Sequence, residues 1–201
     1  MVEGQAYWDT QAATYDRATA WIEPRLLAPA REWVAQRVRG RTLEVAAGTG
    51  ANLPYLQGRY DELVVSDSSG AMLAEARGRA RDLGVEVTAV QADASRLPWP
   101  DAHFDTVVCT FALCCVPDEV VVLRELARVV HPQGAVLLAD HVESSAWLGR
   151  LVQRGLDVAG RRHGEHHRRR PLLRLSEAGL TAVEHTAGRY RLVERVAACR
   201  A

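Results

Sequence analysis

The 201-residue chain reads as a single α/β domain: a mostly parallel sheet with helices on both faces, closing with an antiparallel pair of strands. Three observations carry this reading. Short apolar runs alternate with amphipathic helical segments from residue 41 to residue 140. The run Phe104–Phe111 is nearly all apolar, as in a strand buried on both faces. After Asp140 the rhythm breaks, and Thr181–Glu184 and Arg189–Val196 then alternate as a final pair of strands.

Residues 5–40 read as helical cover, broken at Pro24 and Pro29, with Tyr7, Trp8, Tyr15, Trp33 and Val34 among the apolar positions. Strand one is Thr42–Ala47. It runs into the turn Gly48-Thr49-Gly50, and a helix is expected from about Asn52. Leu63–Ser66 is strand two and ends at Asp67. Met72–Leu83 is a helix with Leu73, Ala76, Ala80 and Leu83 on one face, stopped by Gly84. Val85–Gln91 is strand three and ends at Asp93; Phe104–Phe111 is strand four. Asp118–Val130 is a helix, His131–Gly134 a turn, and Ala135–Ala139 strand five. Ser176–Gly179 ends a further helix. The expected organisation is one domain over 1–201: cover 1–40, core 41–140, an acceptor-side insertion 141–175 and a C-terminal unit 176–201.

Composition narrows the function classes. All 25 basic residues are arginine, so no lysine serves as base or Schiff-base former, and 25 acidic residues bring the formal net charge to zero. Bulk electrostatic attraction to nucleic acid or membrane is therefore not expected. Cys109, Cys114, Cys115 and Cys199 form no C-x-x-C pair, which suggests neither zinc nor a disulfide framework and fits a reducing, cytoplasmic setting. The polar, acidic start does not read as a signal peptide, and no apolar run approaches the ~20 residues of a membrane span.

In such sheets ligands bind beyond the carboxyl ends of the strands. Leu43-Glu44-Val45-Ala46-Ala47-Gly48-Thr49-Gly50 closes strand one, and its glycines let backbone approach a ligand closely. A dinucleotide fingerprint wants a third glycine where Leu53 stands, and Glu44 adds negative charge beside any phosphate. That acid suits a ligand bearing ammonium or sulfonium, and S-adenosylmethionine carries both without a phosphate. Asp67, at the end of strand two, can accept from ribose hydroxyls, and Asp93 from an adenine amino group; each can equally cap a following helix.

Here the sequence resembles a known family. Glu44-Val45-Ala46-Ala47-Gly48-Thr49-Gly50 looks like the first motif of class I S-adenosylmethionine-dependent methyltransferases, in the form found among ubiquinone/menaquinone-type enzymes. Leu97-Pro98-Trp99-Pro100-Asp101-Ala102-His103-Phe104-Asp105 and Arg124–Gly134 resemble the family's segments before strand four and before strand five. The resemblance implies a Rossmann-like class I methyltransferase sandwich of seven strands, with S-adenosylmethionine as cofactor. By position it implies that Ala46, Gly48 and Gly50 approach the methionine end, with Glu44 near its ammonium group and Thr110 close by, and that Thr49 and Asn52 are also cofactor-binding. Asp67 would hold ribose, with Ser68 and Met72 beside the adenosine and Asp93 and Ala94 at adenine. Tyr7 and Tyr15 resemble the N-terminal segment that closes over the cofactor. Ala46 and Gln133 stand where the family more often has glycine.

Methyl transfer from a sulfonium needs alignment and water exclusion more than proton chemistry, so its catalytic signature is weak. The catalytic candidates are Asp140 and His141, which follow strand five, and His166 within the Arg/His-rich stretch 161–171. His141 can take a proton or simply pack; the stretch can cover an acidic acceptor or form a solvated loop. Phe111–Asp118, with His141 and the Arg/His-rich stretch 161–171, resembles a subgroup of small thiol methyltransferases and bacterial enzymes described as phospholipid methyltransferases; Cys114 and Cys115 read as pocket or core residues. The expected partner is a small-molecule methyl acceptor taking the methyl on O, N or S, with phospholipid methylation or a non-catalytic S-adenosylmethionine-binding module as alternatives. No metal and no nucleic acid are expected. Contact of the Trp147 helix with a membrane surface is not favoured, and the chain would be a monomer or homodimer.

Overall fold

The computed structural model describes residues 3–141, 171–187 and 192–201. In chain order its elements are α1 (Glu3–Thr19), a π-helical turn (Glu23–Leu27), α2 (Ala28–Ala35), β1 (Arg41–Val45), α3 (Leu53–Leu56), β2 (Glu62–Asp67) and α4 (Gly70–Leu83). Then follow β3 (Thr88–Gln91), β4 (Phe104–Thr110), α5 (Glu119–Val129), β5 (Val130–His141), two 3-10 turns, β6 (Leu180–Ala187) and β7 (Val193–Arg200).

The seven strands form one sheet in the order β3-β2-β1-β4-β5-β7-β6. Strands β1 to β5 are parallel, whereas β7 inserts antiparallel between β5 and β6. Strand order reverses between β1 and β4, which opens a crevice above their carboxyl ends. The central strands are buried on both faces: Leu43, Val65, Val107, Val108, Val136 and Leu137 are fully enclosed. Their side chains divide into two apolar layers. One, around Phe104, Leu123 and Leu126, faces α5; the other, around Val34, Leu53 and Leu73, faces α2, α3 and α4.

The observed elements agree with the sequence reading in type and order, with local differences of physical origin. Pro24 and Pro29 divide the helical cover as expected, and each occupies the first turn of the segment that follows, where a missing N–H costs nothing. The helix expected from Asn52 lasts only four residues, because the chain turns at Gly58 in the left-handed region (φ 69°). Gly84 (φ 66°) stops α4 as expected: Val85 N–H reaches back to Ala80 O, and β3 therefore starts only at Thr88. His131–Gly134 is not a turn between elements. It is a bulged stretch inside β5, where the register with β4 jumps from Phe104↔Val130 to Thr106↔Ala135. Gly134 is needed there, since a Cβ would lie 2.5 Å from Asp105 O. Ser176–Gly179 closes a 3-10 turn and not an α-helix, and the C-terminal strands extend to Ala187 and Arg200. The Trp147 helix, His166 and most of the expected 141–175 insertion lie outside the described residues.

Candidate active site

The crevice at the strand-order reversal is a cavity of about 1010 Å³, at the upper end of the ~300–1,000 Å³ usual for small-molecule sites. Its floor is the turn after β1. Ala46 (φ 54°), Gly48 (φ 56°) and Gly50 (φ 75°) all take left-handed backbone, which brings Ala46, Gly48 and Thr49 to the cavity wall. A Cβ on Gly48 would meet no protein atom within 4 Å, so it would take up space beside the turn. Gly50 is required by packing instead: its Cβ would sit 2.8 Å from Leu53. Leu53, in the place of a third dinucleotide glycine, is a buried core residue.

Asp67, at the end of β2, ties two loops together. Gly48 N–H donates to Oδ2 at 2.8 Å, and Ser69 N–H to Oδ1 at 2.9 Å. Each carboxylate oxygen has a second lone pair, so the group retains capacity to accept from a diol in the cavity. Burial raises its pKa, while the backbone N–H donors pull the other way. Ser68 and Met72 follow on the same wall, and Asp93 and Ala94 line the end beyond β3. There Asp93 also accepts from the N–H and hydroxyl of Ser95, so the expected adenine acceptor doubles as the cap of its own loop. Thr110, the last residue of β4, closes the opposite end.

Three residues expected at the ligand stand behind it. Glu44 is 1% exposed; Asn52 Nδ2 donates to its Oε1 at 2.8 Å, and Oε2 has no partner among the described residues. Burial pushes the Glu44 carboxyl up to about 7, against the opposing pull of Asn52 and Arg31. Asn52 also donates to Thr110 Oγ1 at 2.9 Å and accepts from Arg31 Nη1 at 2.8 Å. With Gly50 beneath the turn, these groups form a buried polar scaffold joining α2, β1, α3 and β4.

Helix α1 lies across the open side, placing Tyr7, Trp8 and Tyr15 on the cavity. Two hydroxyl–carboxylate bonds hold it down: Ser69 to Asp9, and Thr49 Oγ1 to Asp16 Oδ1 at 2.7 Å. Asp16 is also ion-paired with Arg79 of α4. Burial raises the Tyr15 phenol to about 12, so it stays protonated and can donate.

Arg31 was not anticipated from sequence. It is 5% exposed, lines the cavity, pairs with Glu23 at 2.9 Å and lies 5.0 Å from the Phe111 ring centre. A charged residue inside the apolar stripe Ala30-Trp33-Val34 was the available signal. Phe111, at φ 56°, is a strained position beside the cavity. Ala112, Cys115, Val116, Val121 and Val122 complete an apolar end. Asp140 is buried outside this wall, where its Oδ2 accepts from Leu113 N–H at 2.8 Å and steadies the loop after β4. His141 ends β5 opposite Val193. Among the described residues no histidine lines the cavity, and no cluster of three metal-ligating side chains occurs.

Comparison with known proteins agrees with this geometry. Residues 43–138 match the methyltransferase domain family. The chain is 38% identical over 117 residues to a ubiquinone/menaquinone biosynthesis C-methyltransferase of Shewanella sp. (strain ANA-3), covering 56% of this chain and 47% of that one. It is 38% identical over 109 residues to the corresponding enzyme of Pseudomonas fluorescens (strain SBW25), covering 52% and 43%. The chain thus spans about half the length of the curated relatives it matches. Among solved structures it resembles the DhpI–SAH complex, with a TM-score of 0.73, 24% identity and coverage of 98% and 96%. It also resembles the S-adenosylmethionine-dependent methyltransferase from Mesorhizobium loti, with a TM-score of 0.68, 21% identity and coverage of 86% and 96%. The matched segment carries the likeness to the methyltransferase domain family, and the sheet order and the position of the cavity agree with it.

Proposed function

We propose that this chain transfers a methyl group from S-adenosylmethionine to a small-molecule acceptor. The observation that carries the reading is the cavity itself. A left-handed turn whose backbone forms the cavity floor, Asp67 on two loop amides and a tyrosine-bearing helix across the opening converge at the strand-order reversal. The residues present fit this cofactor. Asp67, Ser68, Met72, Asp93 and Ala94 would hold its adenosine, and Ala46, Gly48, Thr49 and Thr110 its methionine end. Glu44 Oε2, with no hydrogen-bond partner among the described residues, leaves a carboxyl group beneath the turn whose ionised form would favour the ammonium and sulfonium of this cofactor.

Bound there, the cofactor supplies an activated methyl on sulfur. The chain's own residues align and exclude water: α1 shields the cavity, and Ala112, Val116, Val121 and Val122 offer the acceptor an apolar bed. Asp140 positions that bed through Leu113, and His141 is the first candidate for receiving an acceptor proton. His166 and the 161–171 arginines are assigned to the acceptor side. The names of the curated relatives add carbon, as in a quinone precursor ring, to O, N and S as the receiving atom. The test is a turnover screen with labelled S-adenosylmethionine against pooled thiols, phenols, quinols, amines and phosphatidylethanolamine vesicles. Label in one class establishes the reading. Tight S-adenosylhomocysteine binding with label in none of them favours a binding module. Turnover unchanged in His141→Ala removes that residue from the catalytic set.

A further inference from the structure

The motif Cys114-Cys115 is not used by the proposed transfer, yet the structure gives it a defined geometry. Cys115 lines the apolar end of the cavity; Cys114 is buried beside it, and their Sγ atoms are 3.5 Å apart. The loop that carries them is rigidly held. Cys115 N–H donates to Ala112 O at 2.9 Å, Leu113 N–H to Asp140, and Phe111 N–H to Ala139 O at 2.7 Å. The thiols therefore meet on one side of a fixed turn. We propose that Cys114 and Cys115 form a chelating site for a thiophilic trivalent metalloid, an organic arsenical in chemical class, seated in the wall of the cavity.

The spacing suits one bridging atom. Two bonds of about 2.3 Å, the length of a metal–thiolate bond, meeting near 100° hold their sulfurs about 3.5 Å apart. A direct disulfide fits less well, because it prefers Cα atoms at least ~4.4 Å apart, whereas chain neighbours lie ~3.8 Å apart. A four-ligand ion such as zinc lacks its remaining ligands, since no cluster of three donors occurs among the described residues. A three-coordinate arsenical brings its own third substituent, which would lie against Val116, Val121 and Val122. The exchange balances without an oxidant. With an aryl arsine oxide, two As–S bonds form, the As–O bond breaks, and both thiol protons leave with the oxygen as one water.

Phenylarsine oxide is the probe, added to the full chain in excess 2-mercaptoethanol and followed by intact-protein mass spectrometry. The expected result is one adduct per chain that survives the monothiol, is removed by 2,3-dimercaptopropanol, and is lost in both Cys114→Ser and Cys115→Ser. Cys109→Ser and Cys199→Ser should retain it. Absence of an adduct in the monothiol, or an adduct undiminished in Cys115→Ser, overturns the proposal. Cys115 is partly exposed, so its serine variant keeps the test decisive even if Cys114→Ser fails to fold. The readout needs no methyl transfer; S-adenosylhomocysteine calorimetry tests the cofactor reading separately.

Discussion

At the scale of single residues, the turn after β1 shows why the related motif favours glycine. Ala46 holds φ at 54°, a conformation that costs a residue with a Cβ about 1–2 kcal/mol. Ala46→Gly relieves that strain and returns part of the gain as chain entropy, so a stability increase of up to about 1 kcal/mol is expected in urea unfolding. Asp67→Asn presents the opposite case. An amide offers one acceptor oxygen to two loop N–H groups, and an unsatisfied buried donor costs about 1–3 kcal/mol. Calorimetry should show S-adenosylhomocysteine affinity reduced by at least about tenfold, or ~1.4 kcal/mol. Unchanged affinity would remove Asp67 from the ribose assignment.

At the scale of elements, the polar scaffold under the cavity ties α2 to the sheet. Asn52 serves Glu44, Thr110 and Arg31 together. Asn52→Ala strands all three, and a loss of roughly 2–4 kcal/mol in unfolding free energy is expected, since buried polar groups deprived of partners each cost about 1–3 kcal/mol. The strand ends and their acids were legible in the sequence because apolar runs and glycine turns are local signals. So was α4, whose apolar face and terminal glycine are contiguous, although its start at Gly70 and its Ser69 cap were not read. Arg31 was barely legible: its place among Ala30, Trp33 and Val34 hints at burial, but its partners lie 8 and 21 residues away and declare themselves only once the helix is docked. Nor was the bulge in β5, where His-Pro-Gln-Gly has the composition of a turn but pairs as part of the strand. Glu44 was read as a residue of the ligand surface because motif position does not reveal depth. The geometry puts it one layer below, against Asn52.

At the scale of the whole molecule, that depth couples stability to pH. Glu44 titrates near 4.5 when exposed and at about 7 in the fold, because burial disfavours its charge. Between these values the folded state binds more protons than the unfolded state, so stability is full below about 4.5 and declines as pH rises through about 7. The predicted loss is roughly 3 kcal/mol, from ~1.36 kcal/mol per pKa unit, and is complete just above neutrality. Glu44→Gln keeps the oxygen that accepts from Asn52 and abolishes the titration. Its stability should lack this decline between pH 5 and 8 in thermal melts, and an unaltered slope would assign the pH dependence to other groups.

Helix α1 reaches over the cavity through only a few polar anchors, Asp9 on Ser69 and Asp16 on Thr49 and Arg79. If a ligand enclosed beneath it leaves only when those anchors release together, departure is a small local unfolding event, and its rate is expected to follow the helix anchors as well as the contacts of the floor. Such a molecule is throttled at its doorway. Low urea, too dilute to unfold the sheet, should hasten the escape of bound S-adenosylhomocysteine, and Asp16→Ala should do the same without denaturant.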